Sequence, residues 1–453
     1  MTNVRNFTVC VVAVLLSIVV VRPQATEWFV APGGTGAGTR EAPFGLVQDG
    51  LNAAHAGDTV TVLPGTYAES VRTVRSGAPE RPIRVVAEGM RGSAILTAPG
   101  RVLRVDHAHL VVEGLVFDGQ YGERDTVDVN DGGHFFTLRN VEVRRSSREL
   151  IDMGAPHGVL IEDSLIHHAL NATNGRTDAH GIAAGAVRDL TIRNTEIHTF
   201  SGDGLQVDPG REAPGWDRVT LEGARIWLAP LPAAENGFPA GAVPGENAID
   251  TKASANLPRA TLVVRNTTAS GFRGGLIGNM AAFNLKENVA ATLDGITVYD
   301  SEIAFRLRGF TTSERGGAWV TIMNALVYDT TTAFRYEQDI EHLRIWNSTL
   351  GAGVTRPFQA AESGRDGLDV RNLLVFGPLP REVAHPSNWS VGSEAFVDAA
   401  ANDYTLAAGA TVVDAGIALA DVTTDRIGTA RPQGRAYDVG AYEWIPVLAN
   451  RAR

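Results

Sequence analysis

"TLRNVEV" (Thr137–Val143), "LIEDSLI" (Leu160–Ile166) and "TIRNTEI" (Thr191–Ile197) share one form. Each alternates apolar and polar residues, passes through a small polar residue, and resumes the alternation. A period of two is what a half-buried strand requires, and Asn or Asp at the centre tolerates a left-handed bend. The same form returns as "VVEGLVF", "TLEGARI", "VVRNTTA", "TLDGITV", "TIMNALV", "RIWNSTL" and "VRNLLVF". Its central residue falls at Gly114, Asn140, Asp163, Asn194, Gly223, Asn266, Gly295, Asn324, Asn347 and Asn372, in steps of 26, 23, 31, 29, 43, 29, 29, 23 and 25 residues.

Self-similarity at a period in the twenties marks a solenoid. Strands of Val, Ile, Leu and Thr with Asn or Gly corners make it a β-solenoid. One coil cannot bury its inner face alone, whereas stacked coils share a continuous core and pair their strands along the axis. The expected fold is therefore all-β, a right-handed parallel β-helix of roughly ten to twelve coils. Apolar residues at helical spacing through Leu46 to Ala54 predict an N-terminal helical cap over the first coil and its unpaired strand edge. After about residue 380 the repeat fades, and the tail with "FVDAAANDYTL" and "DVGAYEW" is expected to close the other end. The chain divides into a signal peptide (1–25), a cap and first coils (26–110), a β-helix core with the groove (111–380), and C-terminal coils and cap (381–453).

Composition agrees with this organisation. Of 453 residues, 49 are Gly and five are Met, with 44% hydrophobic and 20% charged; such a chain is folded and turn-rich. Its net charge of −11 argues against nucleic acid, which needs a basic surface. Arg5 followed by "VCVVAVLLSIVVV" (Val9–Val21) and "RPQAT" reads as a secretory signal cleaved near Ala25, with an uncleaved anchor as the alternative. The one cysteine, Cys10, lies in that segment, so the mature chain has no thiol for disulfides, zinc or catalysis. The protein is expected to be secreted or periplasmic and to act as a monomer, with no membrane contact beyond the signal.

"FVAPGGTGAGTREAPFGLVQDGLNAAHAGDTVTVLPGTY" (Phe29–Tyr67) resembles the N-terminal module of secreted, pectate-lyase-like right-handed β-helix proteins. "DYTL", "DAG" and "DVGAYEW" (from Asp403, Asp414 and Asp438) resemble the C-terminal segment of the same group. This scaffold carries lyases, hydrolases, epimerases and adhesins, so the reaction must be argued from residues.

The step of 43 contains an insertion, "APLPAAENGFPAGAVPGE" (Ala229–Glu246), too rich in Pro and Gly for a strand. Long loops on a solenoid generally overhang its binding face. The strand after it, "ENAIDTKAS" (Glu246–Ser254), turns Ile249 and Thr251 one way and Asp250 and Lys252 the other. In alignment with it, Gln206 and Asp208 face outward with Asp203 at the strand entry, and further coils expose Arg306, Arg308, Arg335 and Glu337. These residues are expected to form one surface ladder, acidic at one end and cationic at the other, with Arg273 between.

Such a ladder suits elimination from a uronic acid. Removing a proton α to a carboxylate requires that carboxylate to be neutralised, by metal or arginine. It also requires a base, and Lys serves when its surroundings favour the neutral amine. Oxygen-rich Asp203, Asp208 and Asp250 are the ligand type that calcium prefers. Unless a metal takes up its charge, Asp250 favours the ammonium form of Lys252. The arrangement resembles the family 9 pectate lyases, which implies a calcium-binding Asp cluster and a catalytic Lys. It is also similar to the chondroitinase B and alginate lyase group, which implies a Lys base and an Arg one coil later. "SGDGLQVD" (Ser201–Asp208) departs from the first pattern at Gly202 and Gln206, where further acids are expected, and Lys252 stands two residues beyond the simplest alignment.

The expected roles are then Lys252, Arg273 and Arg306 in catalysis, Gln206, Arg308, Arg335 and His180 in substrate binding, and Asp203, Asp208 and Asp250 as Ca²⁺ ligands, with an acidic polysaccharide as partner. The plain alternative for Asp250 and Lys252 is a solvated surface ion pair of little energetic weight. His167, His168, His180 and Asp178 have no recognised ligand spacing. Asn171, Asn266, Asn347 and Asn388 match glycosylation acceptors, and several are also corners. A glycoside hydrolase using two carboxyls and a non-catalytic carbohydrate-binding solenoid, on Trp216, Trp227 and Tyr299, remain open beside the lyase.

Overall fold

The computed structural model describes residues 24–445 except 173–177, 208, 209, 211–213, 255, 276, 310–316, 338, 339 and 361–366; the signal segment and Asp208 lie outside the described residues. Three long parallel sheets of 13, 13 and 11 strands wrap the chain into a right-handed parallel β-helix. Each coil contributes one strand to each sheet in turn, so the 11 strands of the third sheet mark the complete coils. Among the described residues, no helix is long and apolar enough to cross a membrane.

The quoted repeats straddle the corner between the first and second sheets. All their central residues, from Gly114 (φ 79°) and Asn140 (φ 53°) through Asn372 (φ 53°), have positive φ, the conformation that Gly and Asn adopt at least cost. Several side chains also bridge coils: Asn194 Nδ2 donates to Asp163 Oδ1 at 3.2 Å, and Asn372 Nδ2 to Asn347 Oδ1 at 3.1 Å.

Inward residues stack in register through the interior. Leu205, Ile249, Phe283, Phe305, Phe334 and Phe358 occupy one such row in the third sheet. Its phenyl rings stack 5.3, 5.4 and 5.1 Å apart. Each such pair adds about 0.5–1.5 kcal/mol beyond the area it buries. Because the row repeats once per coil, the side chains beside it point out of the sheet in a row of their own.

At the N-terminal end a helix, Val47–Ala53, buries Val47 and Leu51. Glu69 accepts from the free amides of Val47 (2.7 Å) and Gln48 (3.2 Å) at its first turn. The Gln48 side chain bonds both backbone groups of Arg72, on the edge strand of the third sheet.

The tail after Trp389–Val391, the last strand of the second sheet, runs back along the flank of the solenoid, meeting successive corners. Asn372 exchanges hydrogen bonds with Ile417, Asn347 donates to Asp438 O, Asn324 to Thr424 O, and Arg426 reaches Ile296 O. Arg431, wholly buried, holds Glu443 at 3.0 Å and Asn324 Oδ1 at 3.3 Å. Corner carbonyls and amides offer hydrogen bonds at regular intervals, and the tail takes them up. Asn171, Asn347 and Asn388 are buried in such bonds or packing, so of the glycosylation-like sites only Asn266 is exposed.

Candidate functional site

The outward row of the third sheet is fixed by strand register. In chain order it reads Arg72, Arg104, Asp128, Asp152, Ala183, Gln206, Asp250, Asn284, Arg306, Arg335 and Gln359. Neighbours stand one strand spacing apart, about 4.8 Å. The expected ladder of Gln206, Asp250, Arg306 and Arg335 therefore lies in one line. Lys252 and Lys286 each follow directly on their strands, Ile249–Thr251 and Ala281–Leu285, and Arg308 ends the next, Ser301–Arg308. A second cationic line thus runs beside the first.

The face is less open than the sequence suggests. Asp250 is 3% exposed, so its pair with lysine is not a surface ion pair. Lys286 Nζ lies 2.7 Å from Asp250 Oδ1 and 2.9 Å from Oδ2, whereas Lys252 Nζ is 3.6 Å from Oδ2. Burial pushes the Asp250 carboxyl up to about 6, the charge of Asp203 adds to this, and the two lysines oppose it. A buried carboxylate left without a partner is strongly destabilising, and Lys286 supplies the nearer one. Lys286, in "NLKEN", has the same place after its strand as Lys252, and counting one coil on from Lys252 would have reached it.

Asp203 sits behind this pair, 1% exposed. Its Oδ1 accepts from Asn247 N (3.2 Å) and Nδ2 (2.8 Å), and its Oδ2 from Gln206 Nε2 (2.9 Å). Its own amide donates to His180 Nδ1 at 2.8 Å, so His180 carries its proton on Nε2, which faces Asp178 Oδ1 at 3.0 Å. His180, expected to bind substrate, is instead buried with both nitrogens engaged. Gln206, 4% exposed, likewise holds Asp203. Both hold Asp203, His180 by its amide and Gln206 by its carboxylate.

Calcium does not fit the described donors. Asp203 is surrounded by N–H groups, Asp250 by the Nζ atoms of Lys286 and Lys252, and among the described residues no three His, Asp or Glu side chains are arranged to hold a metal. Hard cations need several converging oxygens.

Arg273 is also misplaced by sequence spacing. It stands at the corner after Thr268–Ser270, paired with Asp300 (2.9 Å) and Asp329 (3.3 Å), outside the Asp250 row. Arg306 and Arg335 stay in the row, and Arg335 Nη1 donates to Asn279 Oδ1 at 2.7 Å. Between Asp250 and Arg306, Asn284 is 5% exposed, and its Oδ1 has no hydrogen-bond partner.

The insertion lies on the corner between the second and third sheets. Leu231 and Phe238 pack on Leu170, and Glu235 accepts from Tyr121 at 2.5 Å and faces His168 at 3.6 Å. Its last residue, Glu246, reaches the site, where burial and the nearby Asp203 and Asp178 push its carboxyl up to about 7. His167 and His168 belong to a different face, with His198 stacked between His167 (5.0 Å) and Trp227 (4.3 Å) on the second sheet.

The other half of the row mixes signs, Arg72 and Arg104 standing before Asp128 and Asp152. Asp128 pairs with Arg101 at 3.0 Å; Arg148 pairs with Asp125 (3.2 Å) and Glu149 (3.3 Å). Burial pushes Asp152 up to about 6 and Glu149 up to about 7, with Asp125 adding to both. Sequence reading missed these acids, although counting coils back from Gln206 would have reached Asp152 and Asp128.

No family model matches the chain, and no curated protein matches it in sequence. Solved structures do. A rhamnogalacturonan lyase aligns with a TM-score of 0.55 at 12% identity, over 83% of this chain and 91% of the other. Pectate lyase Pel9A aligns at 0.49 and 15%, over 93% and 97%. An alginate lyase from Paenibacillus sp. str. FPU-7 aligns at 0.46 and 18%, over 72% and 95%. At such identities the likeness concerns the fold, which the first of the three supports.

Proposed function

We propose that the protein is a secreted polysaccharide lyase that cleaves an acidic, uronate-containing polysaccharide by β-elimination, with Lys252 as base. The observation that carries this reading is the division of Asp250 between two lysines. Lys286 donates to Oδ2 at 2.9 Å and lies 2.7 Å from Oδ1, and Lys252 is the looser partner at 3.6 Å. One carboxylate balances one ammonium, so Lys286 does for Asp250 what calcium was expected to do, and Lys252 is not locked as its counter-ion.

In this mechanism the Lys252 amine takes the proton α to the uronate carboxylate. The C–H electrons become the new carbon–carbon double bond, and the β carbon–oxygen bond breaks, its oxygen taking a proton back from the Lys252 ammonium just formed. Charge that builds on the carboxylate during proton removal is met by Arg306, with Arg308 and Arg335 holding neighbouring uronates. Asn284 offers an amide to the same chain. Nothing in the described donor set calls for calcium.

Glu246 favours a second reading. A carboxyl pushed up to about 7 can donate a proton near neutrality, as a glycoside hydrolase requires. The two separate cleanly in an ultraviolet assay for the unsaturated uronyl product on pectate, alginate, chondroitin and glucuronan. Rising absorbance that disappears in Lys252→Ala supports the lyase. New reducing ends without absorbance overturn it in favour of hydrolysis.

A further inference from the structure

The insertion meets the solenoid over two adjacent histidines of the strand Leu165–Ala169. On a regular strand the side chains of His167 and His168 would point to opposite faces. His168 instead takes a positive φ of 65°, and the two rings meet, Nδ1 to Nδ1 at 2.5 Å. Their other nitrogens face carboxylates. His167 Nε2 lies 3.2 Å from Glu142 Oε1, and His168 Nε2 lies 3.6 Å from Glu235 Oε2 on the insertion. These contacts need three protons, one toward each carboxylate and one between the rings, whereas two neutral imidazoles bring only two. With two, either the rings meet lone pair to lone pair or a bare nitrogen faces a carboxylate. The third proton adds one positive charge, and the surroundings balance it. Among the described residues, Asp118, Glu142 and Glu235 face the pair against Arg144 and Arg145. Tyr121, pushed up by burial and by Glu235, stays neutral, and burial and the two histidines hold His198 down at about 3. Beyond His198, Glu196 and Arg225 balance each other at 3.0 Å. Burial and the charge of His167 push His168 down, which keeps a fourth proton off the pair.

We infer that His167 and His168 share a single proton whose charge fastens the insertion through Glu235, so that docking of Ala229–Glu246 on the solenoid depends on pH. When the insertion lifts away it takes Glu235 with it, and the histidines are left to titrate as imidazoles in solvent do, near pH ~6.5. The released pair then binds two protons well below that pH and none well above it, while the docked pair binds one. Docking is therefore tightest near pH ~6.5 and weakens on either side, by up to about tenfold per pH unit. Asn247, which donates to Asp203, directly follows the insertion, so a loosened insertion also loosens the candidate site. The device works alike for a lyase and for a hydrolase.

Two measurements test this without using activity. NMR of isotope-labelled histidine nitrogens near pH ~6.5 should find both Nε2 atoms protonated and one proton between the two Nδ1 atoms. A bare Nε2 on either ring overturns the inference. Hydrogen exchange of the amides of residues 229–246, corrected for the intrinsic effect of pH, should show protection that peaks near pH ~6.5 and falls by up to about tenfold per unit above it. Two variants should lose the alkaline fall. In His168→Gln the side-chain amide donates to Glu235 without titrating. In Glu235→Gln two neutral rings satisfy every contact, because His168 Nε2 can accept from the amide. Should His168→Gln fold poorly, Glu235→Gln, which changes only the loop, decides alone. Protection that does not fall above pH ~6.5 in the wild type, or a fall that persists in either folded variant, overturns the inference.

Discussion

Lys286, one coil beyond Asp250, approaches its carboxylate more closely than Lys252 does from Asp250's own strand, 2.7 Å against 3.6 Å. Replacing each lysine should therefore give different losses. Lys286→Ala leaves the buried Asp250 only its 3.6 Å pair with Lys252 and is expected to cost stability up to the ~3–5 kcal/mol of a fully uncompensated buried charge, read as a lower denaturation midpoint. Lys252→Ala should leave stability nearly intact and lower kcat about 10²–10⁴-fold, the usual worth of a positioned base. Equal stability losses in the two variants would contradict this assignment.

Chelator should leave the rate of product formation unchanged, and added calcium should not raise it. The reason is the donor set: Asp203 faces the amides of Asn247 and Gln206, and Asp250 is held by Lys286. A rate that collapses in chelator and returns with calcium would place a metal among residues not described.

Asp203→Ala strands three N–H donors, the Asn247 amide, its side chain and the Gln206 side chain. At about 1–3 kcal/mol for each buried group left unsatisfied, the variant should melt markedly lower than wild type. Turnover should fall with it, since Asn247 leads directly into the Asp250 strand. An unchanged melting temperature would show that solvent reaches these donors.

Arg273→Ala should change kcat/KM by less than about twofold, because Arg273 serves a corner with Asp300 and Asp329. Arg306→Ala, in the Asp250 row, should lower it by about 10²-fold or more, as loss of a charge-stabilising donor does. Comparable losses would return Arg273 to the site.

Stability should also depend on pH in a recognisable way. Burial raises Asp152 and Asp250 to about 6 and Glu149 and Glu246 to about 7. The folded state then binds more protons than the unfolded one, so their contribution is present at pH 4 and lost as pH rises to 7. Glu142 runs the opposite way: hydrogen bonding to His167 holds it down at about 2 against burial, with Arg144 assisting. Its contribution is lost only as pH falls below its unfolded value. Denaturation midpoints across pH should peak between about 4 and 5, and Asp152→Asn should flatten the fall on the alkaline side.

The corners were legible because a left-handed bend restricts residue type, so Asn and Gly at regular intervals reveal it. The row through Gln206, Asp250, Arg306 and Arg335 was legible for a related reason, since alternation fixes which side chains share a face. What the sequence left out depends on how coils cover one another. The insertion's end and the next coil bury Asp203, Gln206 and Asp250, and no local pattern records that. Lys286 answers to Lys252 one coil on and was within reach of the same alternation, whereas its contact with Asp250 was not, and Arg273 looked equivalent only by residue count, which does not separate a corner from a strand.

The tail gives the solenoid a property that stacking alone does not. In a one-dimensional array each coil touches only its neighbours, and unfolding can begin at an end and spread coil by coil. Here one strap is fastened to the coils of Ile296, Asn324, Asn347 and Asn372. Those coils cannot fray singly without releasing the strap from the others, so the C-terminal part of the array should melt as one cooperative block and resist unzipping from its open end.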